Sequence, residues 1–467
     1  MRYLLPLIFC LSFNLSYGQK SGHNIVIKVE NPTDSAAFLA NYYGKKQYYT
    51  DTAYLNSKGE YIFQGEEKLQ GGIYSIIFNK ESYFEFLVSD QNFTLSTNKP
   101  GFVKNMKVQG SKENEKFFHY FSFLGDQQEK NKALNSKLTE AKTSTDSSLV
   151  KKEIKNIGVE INNYREKVIT ENPDMFVSTL FKTMQEPQIP EQPEGNNDSL
   201  FAYNFFKKHY FDNLNFADNR LVRTPLMEGK IIYYMDKLTM QVPDSIIASI
   251  DVIANLAKTD DENFRFSIIT LLNKYANSKI MGMDAVYVHI AEKYYLSGDA
   301  YWIDDAEKIR FEERVRTLKP ILIGKKAPKI TLSDPNNQPV SLYDINKDFT
   351  ILYFYDVDCS HCKKTTPVLK EFYDQRKAES IEVMAIYTQH EMDKWEKYML
   401  DNSLNWINVV DQQYLSDFRE KYDIKSTPQI YILDKDKKII LKNIGVNQLP
   451  GIFDQLIEQK KQAEEKP

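Results

Sequence analysis

The feature that most constrains this chain is the tetrapeptide Cys359-Ser360-His361-Cys362. The 467 residues include three cysteines, and the third, Cys10, lies in an N-terminal segment that reads as removable. The mature chain is therefore expected to keep one cysteine pair with two residues inside it. Exported proteins braced by structural disulfides usually carry several pairs far apart in sequence. A single close pair suits a reversible redox reaction better than a staple.

The first residues set the expected compartment. Arg2 gives a short positive start, Leu4 to Leu15 is apolar, and Ser16-Tyr17-Gly18 offers small residues at the cleavage positions. This pattern predicts a signal peptide over 1–18, cut before Gln19. The apolar stretch is short for a bilayer-spanning helix. Cys10 lacks the small residues before it that a lipid-anchored cysteine would have. A soluble protein exported to the periplasm, without stable membrane insertion, is the expectation. The net charge of −4 leaves no basic excess to neutralise phosphates, which argues against a nucleic-acid partner.

The length exceeds one ordinary core and predicts several domains. Residues 19–109 carry short β-branched or aromatic runs: Ile25–Val29, Glu60–Phe63, Gly72–Phe78, Tyr83–Val88 and Asn92–Leu95. Turn residues such as Ser57-Lys58-Gly59 separate them, so an antiparallel, sandwich-like β domain is predicted. Residues 110–320 switch to a helical period. Val150, Ile154, Ile157, Ile161, Tyr164 and Val168 form one apolar stripe, and the proline-bearing stretch Glu186–Ser199 breaks the region. Helices are predicted near Tyr203–Asn213, Glu228–Thr239, Asp244–Ala257, Phe264–Asn277 and Ala285–Tyr295. His119, His209 and His289 stand without a second ligand at metal spacing, so no metal is implied.

Residues 321–467 alternate strand and helix, which predicts an α/β domain with a mixed sheet. A hairpin over Lys329–Leu332 and Pro339–Leu342 leads to a strand over Phe349–Tyr355 and a helix from Cys362 to Lys377. Then come a strand over Ile381–Tyr387, a helix over Glu391–Asn402, a strand over Trp406–Val410, a helix over Tyr414–Tyr422, strands over Gln429–Leu433 and Lys438–Asn443, and a closing helix over Gln448–Gln459. Cys359 would thus open a helix, where the partial positive charge of the N-terminus favours a thiolate. Cys359 is assigned as the attacking cysteine and Cys362, one turn further in, as the resolving one. Ser360 and His361 tune the balance between them. His361 and Lys363-Lys364 favour the thiolate, whereas Asp356 and Asp358 oppose it, and the sum stays open.

This C-terminal region resembles the thioredoxin superfamily, and within it the exported ResA/TlpA-like thiol–disulfide oxidoreductases. The C-x-x-C at a strand-to-helix junction, Pro367 within the helix, Thr427-Pro428 before a late strand, and the entry segment Gly324-Lys325-Lys326-Ala327-Pro328 carry the resemblance. It implies a cis-Pro428 beside Cys359, with the Thr427 backbone pairing with a client chain. It also implies protein thiols or disulfides as partners, an upstream membrane or periplasmic redox donor, and no cofactor beyond the Cys359–Cys362 pair itself. Three positions depart from the family: Tyr353 stands where thioredoxin has a buried Asp, Asp358 where a Trp is common, and Thr365 where ResA-like proteins have Glu. Glu371, Lys364 or water would then have to take the proton of Cys362. The regions before it resemble, in layout, the segments that precede such domains in secreted Bacteroidetes proteins.

Other readings of the pair fare worse. Haem attachment needs His after the second cysteine, and Lys363 stands there. A zinc site would need a second pair. A peroxiredoxin-type peroxidase shares the entry segment, but its cysteine is set by a nearby Thr and Arg in a context unlike this one. A periplasmic binding or scaffold protein, with a secondary redox domain, is the competing class.

Overall fold

The computed structural model describes residues 22–193, 198–276, 278 and 280–464; the expected signal peptide lies outside them. The chain divides into two compact units, Met1–Leu238 with Asn255–Phe266, and Thr239–Ala254 with Ser267–Pro467.

The first unit begins with eight strands: β1 (His23–Glu30), β2 (Ala36–Tyr43), β3 (Lys46–Tyr54), β4 (Glu60–Gly65), β5 (Gly72–Asn79), β6 (Ser82–Val88), β7 (Asn92–Asn98) and β8 (Lys107–Gln109). They form two four-stranded sheets, ordered β4-β1-β7-β8 and β3-β2-β5-β6. Pairing is antiparallel except between β1 and β7, which run parallel. Alternate residues point inward: Ile25 and Ile27 of β1, and Phe84 and Phe86 of β6, are buried. Rings join the sheets, with Tyr61 against Phe78 at 5.5 Å and Phe86 against Phe93 at 5.8 Å. The strands β2 and β3 were not visible as runs. The first is rich in alanine and the second is an edge strand that buries only Ala53. Gly44, at φ +59, makes the tight turn between them.

Helices follow: α1 (Lys112–Glu140), α2 (Ser144–Glu171), α3 (Phe176–Thr183), α4 (Phe201–His209) and α5 (Pro225–Lys237). Ser111 and Thr143 cap α1 and α2 by accepting from the amides of Asn114 and Asp146. The stripe read from the sequence on α2 packs Tyr164 against Phe123 at 4.8 Å. Next come α6 (Pro243–Ala257) and α7 (Asp261–Ala276), which contribute residues to both units.

The second unit contains α8 (Asp284–Ile290), continued by one π turn over Ala291–Tyr295, and α9 (Asp305–Leu318). Its seven-stranded sheet has the order β10-β9-β13-β12-β11-β14-β15. The strands are β9 (Thr331–Ser333), β10 (Pro339–Ser341), β11 (Phe349–Tyr355), β12 (Ile381–Tyr387), β13 (Ile407–Val410), β14 (Gln429–Leu433) and β15 (Ile439–Lys442). Between them run α10 (Ser360–Arg376), α11 (Met392–Asp401) and α12 (Phe418–Lys421), and α13 (Leu449–Glu464) closes the chain. β11, β12 and β13 are parallel; β14 and β15 turn back antiparallel. The sheet is mixed, as the alternation predicts.

Every residue of β11 is buried, because both faces of the strand are covered. Phe349, Ile351, Tyr353 and Tyr355 face a core shared with Leu369 and Phe372 of α10, Trp395 of α11 and Phe453 of α13. Leu352 and Phe354 face the other core, with Val315 and Leu318 of α9, Ile321, Phe418 and Tyr422. Each fully buried aliphatic side chain contributes about 2 kcal/mol, so the two layers hold β11 firmly. The predicted helix over Tyr414–Tyr422 shrinks to α12. Asp411 accepts from the amides of Leu415 and Ser416, and Tyr414 and Asp417 take positive φ, so these residues fold as a self-capped loop.

Candidate active site

β11 ends at Tyr355, and a short turn places Cys359 as the N-cap of α10. Its Sγ accepts from the Cys362 amide at 3.4 Å and donates to the Thr427 carbonyl at 3.4 Å. Thr427-Pro428 is a cis peptide immediately before β14. Cys359 is partly exposed and Cys362 buried, both as free thiols. The Asp356 amide points at the Cys362 sulfur from 3.5 Å. Ser360 and His361 are exposed at the first turn of α10. All six sequence candidates therefore gather at one helix start and the loop facing it.

The two sulfurs are driven apart electrostatically. Burial alone would raise the Cys359 thiol, but the Cys362 amide, the Cys362 and Thr427 contacts and the His361 amide together hold it below its usual value. Burial pushes Cys362 up to about 12, beyond what the Asp356 amide offsets. One sulfur thus favours the thiolate, and burial favours the protonated form of the other behind it.

The opposing acids are occupied. Asp358 pairs with Lys394 of α11 at 2.9 Å, and Lys363 lies 4.0 Å away. Asp356 accepts from the Asp358 amide and from Gln389. Asp358 consequently presents a paired, not a bare, negative charge. Lys394 was missed in the sequence because it lies far along the chain on a separate helix.

The surroundings of Cys362 differ from the acceptors considered above. Lys364 is exposed; Glu371 is exposed and bonded by Gln375, roughly 13 Å along α10 from Cys362. The buried side is lined by hydroxyls instead. Tyr353 bonds Thr366 at 2.9 Å, and Trp395 Nε1 donates to the Tyr355 hydroxyl at 2.7 Å. Tyr353 and Tyr355 stack at 5.1 Å, and the Tyr398 ring lies 6.0 Å from Tyr355. Beside the cysteines, a cleft of about 500 Å³ is lined by Thr365, Ser426, Pro428 and Asn443.

Residues 323–442 match the AhpC/TSA family. ResA thiol-disulfide oxidoreductase of Bacillus cereus is 24% identical over 137 residues, covering 29% of this chain and 78% of that protein. The C-terminal domain is thioredoxin-like. A thioredoxin-like protein of Haemophilus influenzae is 26% identical over 117 residues, covering 25% of this chain and 67% of its own. A solved domain of a possible thiol-disulfide isomerase from Cytophaga hutchinsonii is 36% identical, covering 31% of this chain and 98% of that one, with a TM-score of 0.29. Two further segments, 23–117 and 124–319, match domains of unknown function, DUF4369 and DUF5106. The thioredoxin-like domain thus follows regions whose families carry no stated activity. No helix among the described residues is long and apolar enough to cross a membrane.

Proposed function

We propose that the protein is an exported thiol–disulfide oxidoreductase that exchanges dithiol and disulfide with client proteins through Cys359 and Cys362. The observation that carries this is the Cys359 sulfur held between the Cys362 amide and the Thr427 carbonyl, with Cys362 buried behind it. The Cys359 thiolate attacks one sulfur of a client disulfide, forming a Cys359–client bond and releasing the other client thiolate. Cys362 then attacks Cys359, releasing the second client thiol and leaving a Cys359–Cys362 disulfide. The client gains two electrons and the protein loses two. The reverse sequence oxidises a client dithiol. A thiol or dithiol donor, membrane-bound or periplasmic, would restore the reduced pair.

The client chain would lie along the cleft of Thr365, Ser426 and Pro428 and pair with the Thr427 backbone. The signal-like start supports work outside the cytoplasm. Cys359→Ser should abolish exchange with a disulfide substrate, and Cys362→Ser should accumulate client mixed disulfides on Cys359. Retention of full activity by Cys359→Ser would refute the proposal.

A further inference from the structure

One polar atom behind the cysteine pair is not accounted for by the fold. The Tyr398 hydroxyl is buried and has no hydrogen-bond partner among the described residues. A buried, unbonded hydroxyl is unfavourable by about 1–3 kcal/mol, and phenylalanine would fill the same space without that penalty. Its neighbours are spent. Thr366, one turn beyond Cys362 on the same face of α10, is taken by Tyr353. The Tyr355 hydroxyl accepts from Trp395 Nε1. Among the described residues of this layer, Tyr398 is the hydroxyl left without a partner in hydrogen-bond geometry, and its ring packs in the core that contains Cys362.

Resting on the oxidoreductase reading, we propose that Tyr398 is a positioning residue for the resolving step, its hydroxyl donating a hydrogen bond to Cys362 sulfur as that sulfur becomes a thiolate. The need is evident from the site. Cys362 must lose its proton to attack, yet burial opposes its ionisation and the carboxylates nearby point elsewhere. Burial holds the Tyr398 hydroxyl above its usual value; a Thr366 contact offsets part of this, and the two nearby cysteines add to it. The groups around Cys362 are Tyr353 and Tyr355 of β11, Tyr398 of α11, the Asp356 amide, Thr427 and Cys359. None of these supplies a carboxylate to the sulfur. The proton of Cys362 leaves with the client thiol, so the exchange balances without another reactant, and Tyr398 keeps its own.

The test is single-turnover reaction of the reduced protein with one equivalent of the aromatic disulfide DTNB. Attack by Cys359 releases the first thionitrobenzoate, and resolution by Cys362 releases the second. Tyr398→Phe should leave the first phase unchanged and slow the second at least about tenfold, the loss expected for one hydrogen bond to a charged atom. The pH profile of the second phase should move upward. The variant should melt at the wild-type temperature or above, which separates this role from a packing defect. Tyr353→Phe, whose hydroxyl is already bonded, should slow the second phase less. An unchanged second phase in Tyr398→Phe, or equal slowing in Tyr353→Phe, overturns the inference while leaving the redox reading intact. A first phase that survives Cys359→Ser overturns the redox reading itself.

Discussion

The Cys359 thiol donates to the Thr427 carbonyl, so the first turn of α10 and the loop before β14 meet at a single sulfur. Attack by Cys359 must exchange that contact for one with the client. Under the proposed function Cys359 is the attacking cysteine, and its reactivity should follow the pH at which it ionises.

Alkylation of the reduced protein by iodoacetamide should show this directly. Cys359 should react with a midpoint below the about 8.5 of a free thiol. Cys362, buried and with its thiol raised, should stay unmodified in the native state at pH values where Cys359 is fully labelled. Peptide mapping by mass spectrometry checks which cysteine carries the label; early labelling of Cys362 would contradict the arrangement.

The raised Cys362 also links stability to pH. Its folded value lies above its unfolded one, so its contribution is whole below the ordinary thiol range. That contribution is lost as pH rises from about 8.5 toward about 12, because the unfolded chain ionises first. Denaturant titrations of reduced wild type and Cys362→Ser across this window should diverge, with the wild type falling more steeply.

The Lys394–Asp358 pair is exposed and is expected to tune more than to stabilise. Lys394→Glu would leave Asp358 with only the longer 4.0 Å pair to Lys363 and add a negative charge beside it. The Cys359 alkylation midpoint should rise, and by more at low salt. A midpoint indifferent to this change would mean that Asp358 does not act on the sulfur.

Lys442 of β15 is buried to 4% side-chain exposure, pairs with Asp284 of α8 and bonds the Ile321 carbonyl at 2.7 Å. Lys442→Ala should destabilise the protein by about 3–5 kcal/mol, since it leaves a partly buried carboxylate and a carbonyl without their partner. Asp284→Ala with Lys442→Ala should recover part of that loss in urea denaturation.

The thiol pair was legible because its signals are local. A helix-opening cysteine, a second one turn on, and a Thr-Pro before a strand each declare themselves within a few residues. The layer behind Cys362 was not. Trp395, Tyr398 and Met399 repeat at helical spacing, and such a stripe reads as packing alone, whatever its hydroxyl meets in the fold. Lys394 escaped for another reason, since its partner Asp358 is distant in sequence and only the fold joins them. Strands β2 and β3 hid because an edge with outward side chains lacks the apolar run that marks a buried strand. The loop before α12 read as helix because the sequence pattern does not show Asp411 reaching forward to bind two amides.

The double coverage of β11 has a further consequence. The strand that leads into Cys359 is clamped on one side by Val315, Leu318 and Ile321, so melting of α9 would uncover the floor of the redox loop. Heat or a protease that opens this helix should therefore silence disulfide exchange in the same event. The catalyst would fail as one piece, sparing clients a half-unfolded thiol that scrambles their bonds.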